Sequence, residues 1–392
     1  MGPPAFHLMA KPTGARCNLR CTYCFYLQKA GLYPDGTFRM SDAVLESYIR
    51  QVIDAHRSPL VTVAWQGGEP TLMGLDFFER AMEIQQRYRR GGTAIQNTIQ
   101  TNGTLLDDSW AGFFRRHQFL VGISIDGPEE VHDAFRVDRA GRPTFGRAMT
   151  GLSLLRKHGV EHNILTCIHA ANQERPLEVY RFLRDEAGGR HIQFIPVVER
   201  RGTAGVSVHS VGPEPFGRFL NTIFDEWVRH DVGSVFVQNF EAALAAWAGI
   251  PPGTCVSAPV CGTAPVLEHN GDVYVCDHYA DPAHRLGNIM QTPLSNLMAS
   301  PMRAAFGRSK LTGLPDYCRR CRVRFACNGG CPKDRFLTCP DGEAGLNYLC
   351  RGYRIFFTHI DAPMRFMAEN LRRNGDPSDV MAWMRAKNAR IR

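Results

Sequence analysis

Cys17, Cys21 and Cys24 stand in a C-x3-C-x2-C arrangement near the start of the chain. Three closely spaced thiolates with no fourth nearby suit a cubane iron–sulfur cluster that leaves one iron open to chelate a substrate or cofactor. The competing chemistry is a zinc knot, which wants four closed ligands and a second cysteine or histidine pair. No such pair occurs in the thirty residues that follow. Ten further cysteines come later: Cys167, Cys255, Cys261, Cys276, the run Cys318, Cys321, Cys327 and Cys331, then Cys339 and Cys350. Thirteen cysteines in a chain without a secretion signal point to metal rather than to disulfides. Two acidic residues occupy positions of chemical interest. Glu69 follows Gly67-Gly68, and Asp277 directly follows Cys276.

The elements that must position these residues alternate between two periods. Apolar β-rich runs fall at Phe6–Ala10, Val61–Trp65, Asn97–Thr101, Leu120–Ile125, Asn163–Ile168 and Ile192–Val197. Helical stretches lie at Ser41–His56, Leu75–Tyr88, Asp107–Arg116, Phe145–His158 and Leu177–Glu186, with Ser41 and Asp107 as N-caps and Gly159 as a stop. Six βα units in series predict parallel strands joined by right-handed crossovers. Functional residues of such sheets gather at the carboxyl ends of the strands. The cysteine triplet, Gln66-Gly67-Gly68-Glu69-Pro70, Gln100–Thr104 and Gly122–Gly127 all fall there. After a helix near Pro215–His230 the chain becomes rich in Cys, Gly and Pro. Asn270-Gly271 between two apolar runs predicts a hairpin that brings Cys276 back toward the earlier cysteines.

The triplet followed by an aromatic, the G-G-E-P segment and the later strand ends together resemble the radical S-adenosylmethionine (SAM) enzymes. That resemblance implies an α/β fold: a six-stranded partial barrel over residues 1–230, a (β/α)6 arrangement. It also implies that SAM chelates the open iron of the Cys17/Cys21/Cys24 cluster. Gln66, Gly67, Gly68 and Glu69 would then meet the methionyl part, Ser124 and Arg136 the carboxylate or ribose end, and Tyr23 and Val198 the adenine.

The second cysteine block resembles the SPASM domain, whose pattern is C-x(9–15)-G-x4-C, then C-x2-C-x5-C-x3-C, then C. Cys261, Gly271 and Cys276 fit the first part and Cys318, Cys321, Cys327 and Cys331 the second. By that resemblance Cys255, Cys261, Cys276 and Cys331 hold one auxiliary [4Fe–4S] cluster. Cys318, Cys321, Cys327 and Cys350 hold the other, for three clusters in all within an α+β domain spanning residues 231–360. Eleven of the thirteen cysteines are thereby assigned. Cys167, in an apolar strand, reads as a small buried hydrophobe, and Cys339 as a bystander or a substitute ligand. Residues 361–392 read as a peripheral helical extension.

Over Leu8–Tyr353 the chain resembles the anaerobic sulfatase-maturating enzymes, on Cys24-Phe25-Tyr26, Trp65–Thr71, Leu120–Gly127, Cys276-Asp277-His278, Leu286–Ile289 and Asn347–Cys350. This implies oxidation of a Cys or Ser in a sulfatase, within a C/S-x-P/A-x-R motif, to formylglycine without oxygen. Asp277 would act as the base, and a low-potential flavodoxin or ferredoxin as the electron donor. Two alternatives stand beside it. One is a maturase of another ribosomal peptide, forming thioether or carbon–carbon crosslinks; the sixteen residues before Cys17 leave no room for a leader-binding domain. The other is a non-catalytic iron–sulfur or zinc scaffold.

Composition sets outer limits. A hydrophobic content of 44% and a charged content of 21% over 392 residues describe a globular protein with a sizeable core. The formal charge of +8 comes from basic residues such as Arg87, Arg89 and Arg90 that are not patterned with aromatics. They read as solvated faces, not a nucleic-acid surface. No apolar run reaches transmembrane length. The expectation is a cytoplasmic monomer.

Overall fold

The structure, a computed structural model, describes residues 6–34, 36–203 and 205–389. Residues 390–392 of the expected C-terminal extension lie outside them. The chain divides into two compact units.

The first unit comprises Met1–Ser124, Phe135–His162 and Gly262–Arg308. Strands β1 (Met9–Lys11), β2 (Leu60–Trp65), β3 (Ala94–Thr101) and β4 (Leu120–Ser124) pair parallel in that order. Helices α1 (Asp42–Ala55), α2 (Leu75–Tyr88) and α3 (Asp108–Arg116) make the crossovers. Ser41 and Asp107 cap α1 and α3 by accepting from the backbone N–H of Val44 and Trp110, each such cap stabilising its helix by about 1 kcal/mol. The core is aromatic. Trp65, fully buried at the end of β2, meets Tyr48, Phe77 and Phe78 edge-on, the arrangement that ring quadrupoles favour.

The Asn270-Gly271 hairpin is present, with Gly271 at φ 91°. Its first strand, Val266–Glu268, adds parallel to the free edge of β1, and Asp272–Tyr274 and Arg285–Asn288 follow antiparallel. The segment that carries Cys276 and Asp277 thus belongs to the same sheet as the strand leading into the cysteine triplet.

The second unit comprises Ile125–Ala134, Asn163–Cys261 and Ser309–Arg392. Strands β5 (His162–Ile168) and β6 (His191–Pro196) are parallel, and Phe236–Val237 adds to β6. The helix expected over Leu177–Glu186 is α-helical only over Pro176–Arg181 and finishes as a π turn, Phe182–Glu186. Helix Pro213–His230 crosses helix Cys350–His359 at Gly217 and Gly352, where a Cβ on Gly352 would lie 2.2 Å from the Pro213 carbonyl. The C-terminal residues are less peripheral than the sequence suggests. Helices Asp361–Arg372 and Val380–Ala389 bury Met364, Met367 and Val380 completely, and Asp361 accepts from Trp247 Nε1 at 3.0 Å. Met364 and Met367, in what the sequence reads as a peripheral helical extension, are core residues.

Candidate active site

The cysteine triplet occupies the loop after β1, and its backbone is fastened to the G-G-E-P turn after β2. Gly68 N donates to Gly14 O at 2.7 Å, and Glu69 N to Arg16 O at 3.0 Å. Gly67 sits at φ 137°, and a Cβ on Gly68 would come within 2.0 Å of the Arg16 carbonyl. Both glycines are therefore required for the two loops to touch. The Cys17 thiol is pushed up to about 12, first by burial and then by the charge of Glu69. Backbone N–H of Leu19 at 3.3 Å and Asn102 Nδ2 at 3.7 Å point at Cys17 Sγ. Those donors fit a sulfur that carries negative charge, as a cluster ligand does.

Glu69 is 1% exposed and knits the strand ends together. Its Oε1 accepts from Thr71 N, Thr71 Oγ1 and Thr101 Oγ1, and its Oε2 from Asn102 N at 2.8 Å. One acceptor position of Oε2 is left for a further donor. Tyr23 lies edge-on to Phe135 at 6.1 Å, and the Arg136 guanidinium stands 5.6 Å over the Tyr23 ring. Ser124 is buried at the end of β4. Tyr23, Gln66, Gly67, Gly68, Glu69, Ser124 and Arg136 all belong to the first unit. Val198 belongs to the second, where its carbonyl accepts from Lys333 Nζ at 3.3 Å. A cavity of about 480 Å³ opens beside Cys21 and Cys24, walled by Leu27, Val137 and Asp138.

Asp277 shares the first unit with the triplet. Its Oδ1 accepts from His278 N at 2.9 Å and lies 3.5 Å from Cys276 Sγ, while Oδ2 is 3.7 Å from Lys11 Nζ. Burial alone would raise this carboxyl, but the charges of His278 and Lys11, together with hydrogen bonds from Cys276 and the His278 N–H, hold Asp277 below its ordinary value. Lys11 was not visible as a site residue in the sequence. Only 3% exposed, it donates to Gln66 Oε1 at 3.3 Å and sits 4.4 Å over the Tyr26 ring. Tyr26, from the aromatic pair after Cys24, donates to buried Glu268. Phe25 packs on His278 at 4.4 Å, and Lys29 Nζ donates to His278 O and Ala280 O. The loop bearing Asp277 is thus pinned to the cluster loop through side chains of Phe25 and Lys29.

The remaining cysteines sit in the second unit, apart from Cys276. The Cys327 thiol is pushed up to about 12 by burial, then by the charges of Cys350, Cys318 and Cys321. These four are therefore near neighbours. Cys331 is likewise pushed up to about 12 by burial and Asp334, and also feels Cys261; Cys261 in turn feels Cys255. Cys327 thus shares a field with Cys318, Cys321 and Cys350, and Cys331 shares one with Cys261. Cys339 is buried and lies in the field of Cys318, closer to the second set than a bystander loop implies. Cys167 is half-buried on β5. Among the described residues no three His, Cys, Asp or Glu side chains are gathered tightly enough to hold a single metal ion. The fit to iron–sulfur clusters rests on this gathering of cysteines and on the donors aimed at Cys17.

Sequence profiles and known proteins point the same way. The profile of the Radical SAM superfamily matches residues 12–183, and that of an iron-sulfur cluster-binding domain residues 260–322. The serine-type anaerobic sulfatase-maturating enzyme of Bacteroides thetaiotaomicron is 45% identical, over 98% of this chain and 96% of its own. The cysteine-type enzyme of Clostridium perfringens is 34% identical, over 94% of this chain and 100% of its own. The solved structure of native anSMEcpe with bound AdoMet superposes with a TM-score of 0.84 at 33% identity, covering 93% of this chain and 99% of that one. The same protein with AdoMet and the Kp18Cys peptide gives 0.84 over 94% and 100%.

Proposed function

Because the chain belongs to the anaerobic sulfatase-maturating enzymes, we propose that it converts a serine of its sulfatase to formylglycine. It is a radical SAM oxidoreductase that matures a Cys or Ser of a sulfatase, with an α/β partial-barrel core and a cysteine-rich auxiliary domain. Serine is favoured because relatives at 45% and 37% identity are serine-type, whereas the cysteine-type relatives stand at 34% or lower.

Cys17, Cys21 and Cys24 would hold the SAM-chelating cluster. Cys255, Cys261, Cys276 and Cys331 would hold one auxiliary cluster, and Cys318, Cys321, Cys327 and Cys350 the other. When bound, these groups would supply a 5′-deoxyadenosyl radical for hydrogen-atom removal at Cβ of the target, and an acceptor for the second electron. Gly67 and Gly68 let backbone approach the methionyl part, and Glu69 offers the open position of Oε2 to its ammonium. Ser124 and Arg136 meet the carboxylate or ribose end, with Tyr23 and Val198 beside the adenine. Asp277, kept ionised by the charges of His278 and Lys11, takes the hydroxyl proton. With one electron also gone, the Cβ–O single bond becomes the aldehyde carbonyl. We assign the partial barrel to residues 1–230, the auxiliary domain to 231–360 and a helical extension to 361–392. The partners are a sulfatase peptide with a C/S-x-P/A-x-R motif and a low-potential flavodoxin or ferredoxin, acting on a monomer.

The observation that carries this reading is the pairing of buried Lys11 with half-buried Asp277 beside the triplet loop: an ionised carboxylate placed to accept a proton. An anaerobic assay with SAM, reductant and matched Ser and Cys peptides tests it. Aldehyde from the Ser peptide, matched by 5′-deoxyadenosine, is expected. Aldehyde from the Cys peptide alone would overturn the serine assignment. 5′-Deoxyadenosine with both peptides unchanged would overturn the substrate.

A further inference from the structure

Two cations stand among the auxiliary cysteines of the second unit in a manner the reaction so far described does not use. Lys310 is fully buried, with its ammonium donating to the carbonyls of Cys255 and Val256 at 2.7 and 2.8 Å. Arg335 is half-buried, and all three of its nitrogens point inward: Nε to Gly329 O at 3.0 Å, Nη1 to Lys310 O at 2.7 Å and Nη2 to Asn328 O at 2.9 Å. Gly329, between Cys327 and Cys331, makes room for it. A Cβ there would lie 2.6 Å from Arg335 Nη2, and the residue sits at φ 73°. Neither cation forms an ion pair with a carboxylate among the described residues.

Burying a cation without an anion is costly, and proteins retain such charges where something negative faces them. Here the facing groups are cysteine sulfurs, which become negative as cluster ligands. Lys310 Nζ is held on the backbone of Cys255 itself and of Val256. Arg335 is held on Asn328 and Gly329, the turn between Cys327 of one set and Cys331 of the other. Lys310 is thus tied to one set of cysteines, whereas Arg335 is shared between the two. The thiols alone, raised by burial, do not balance these charges; anionic clusters would.

We propose that Lys310 and Arg335 set the reduction potentials of the auxiliary sites, Lys310 acting on the site of Cys255, Cys261 and Cys331, and Arg335 on both. The inference rests on the reading of two auxiliary iron–sulfur clusters. Net charge near a cluster is a main determinant of its potential. A fixed cation favours the reduced, more negative form, so both residues raise the potential. They make the auxiliary sites better acceptors for the electron released as the substrate radical becomes an aldehyde. They act through the clusters and their loops and touch no substrate, and so are positioning residues.

The test is a redox titration of the anaerobically reconstituted full-length chain, followed by electron paramagnetic resonance. The SAM-chelating cluster, identified by its response to added SAM, serves as the internal reference. Lys310→Met is expected to lower one auxiliary potential and leave the other in place. Arg335→Gln is expected to lower both, while Lys310→Arg and Arg335→Lys stay near the parent values. Parent potentials in both neutral variants at full iron content would overturn the proposal. So would a Lys310→Arg potential as low as that of Lys310→Met, since shape and not charge would then be the cause. Loss of iron in both neutral variants would replace tuning by a role in cluster assembly. A parent protein holding fewer than about twelve irons would instead overturn the three-cluster reading itself.

Discussion

Lys11 Nζ and Asp277 Oδ2 stand 3.7 Å apart in a setting that exposes only 3% of Lys11. The first comes from β1 and the second from the loop after Asp272–Tyr274, and the parallel pairing of β1 with Val266–Glu268 brings them together. Asp277→Asn keeps the shape but removes the proton acceptor. Formylglycine formation should fall by about 10²–10⁴-fold, the usual worth of a positioned general base, while 5′-deoxyadenosine continues to form. Product and 5′-deoxyadenosine measured in one reaction by mass spectrometry check this. Equal loss of both would assign Asp277 to an earlier step.

Lys11→Met should uncouple the same two products, because it releases both the Asp277 carboxylate and the Gln66 amide from their shared donor. Lys11→Arg should recover part of the coupling, since it keeps the charge in a longer frame. If Lys11→Met matched the parent ratio of aldehyde to 5′-deoxyadenosine, the pair would be a packing feature only.

Gly68→Ala places a methyl against backbone, not against a side chain that could swing away. The G-G-E-P turn must then leave the cluster loop, at a cost of about 1–3 kcal/mol or more. Iron content and thermal melting of the variant, compared with Gly91→Ala, whose added methyl meets nothing within 4 Å, report it. Retention of SAM-cleaving activity by Gly68→Ala would show that the two loops need not touch.

Glu69→Gln replaces an acceptor by a group that is half donor. Four internal donors converge on the carboxylate, so at least one of them would face an N–H. Each buried donor left unsatisfied costs about 1–3 kcal/mol. Chemical denaturation should show a loss of that order, and SAM binding by equilibrium dialysis should weaken with it.

Cys350→Ser and Cys339→Ser separate the ligand from its neighbour. Both thiols lie near Cys318. Removing Cys350 should lower bound iron by about four atoms per chain, whereas removing Cys339 should leave the iron in place. The reverse result in an iron and sulfide assay would exchange their roles.

Much of the site's frame was legible because local signals agreed with the tertiary structure. All six strand signals of the barrel correspond to strands, with bounds that differ by up to three residues. Ser41 and Asp107 cap as read, and the Asn-Gly turn closes its hairpin. The triplet and the G-G-E-P turn announce themselves because close backbone approach and cluster ligation each demand particular residue types. Lys11, Lys310 and Arg335 gave no such signal. A lysine in a short strand or an arginine after a turn reads as a solvated charge, and only long-range pairing decides that it is enclosed. Met364 and Met367 were missed for a related reason. Their helix is amphipathic, but its apolar face is defined by a partner far away in sequence, the helix at Gln238–Ala248.

The crossing at Gly217 and Gly352 has a cellular consequence. Gly352 lies two residues past Cys350, so the helix that packs there begins at a cysteine assigned to iron. On that assignment, seating the cysteine would also hold the first turn of the helix that docks there. A polypeptide made during iron shortage would then lack that hold on its carboxyl-terminal helices, and loosened helices are the kind of surface that proteases and chaperones survey. Metal supply would then govern how long the molecule survives, as well as whether it works.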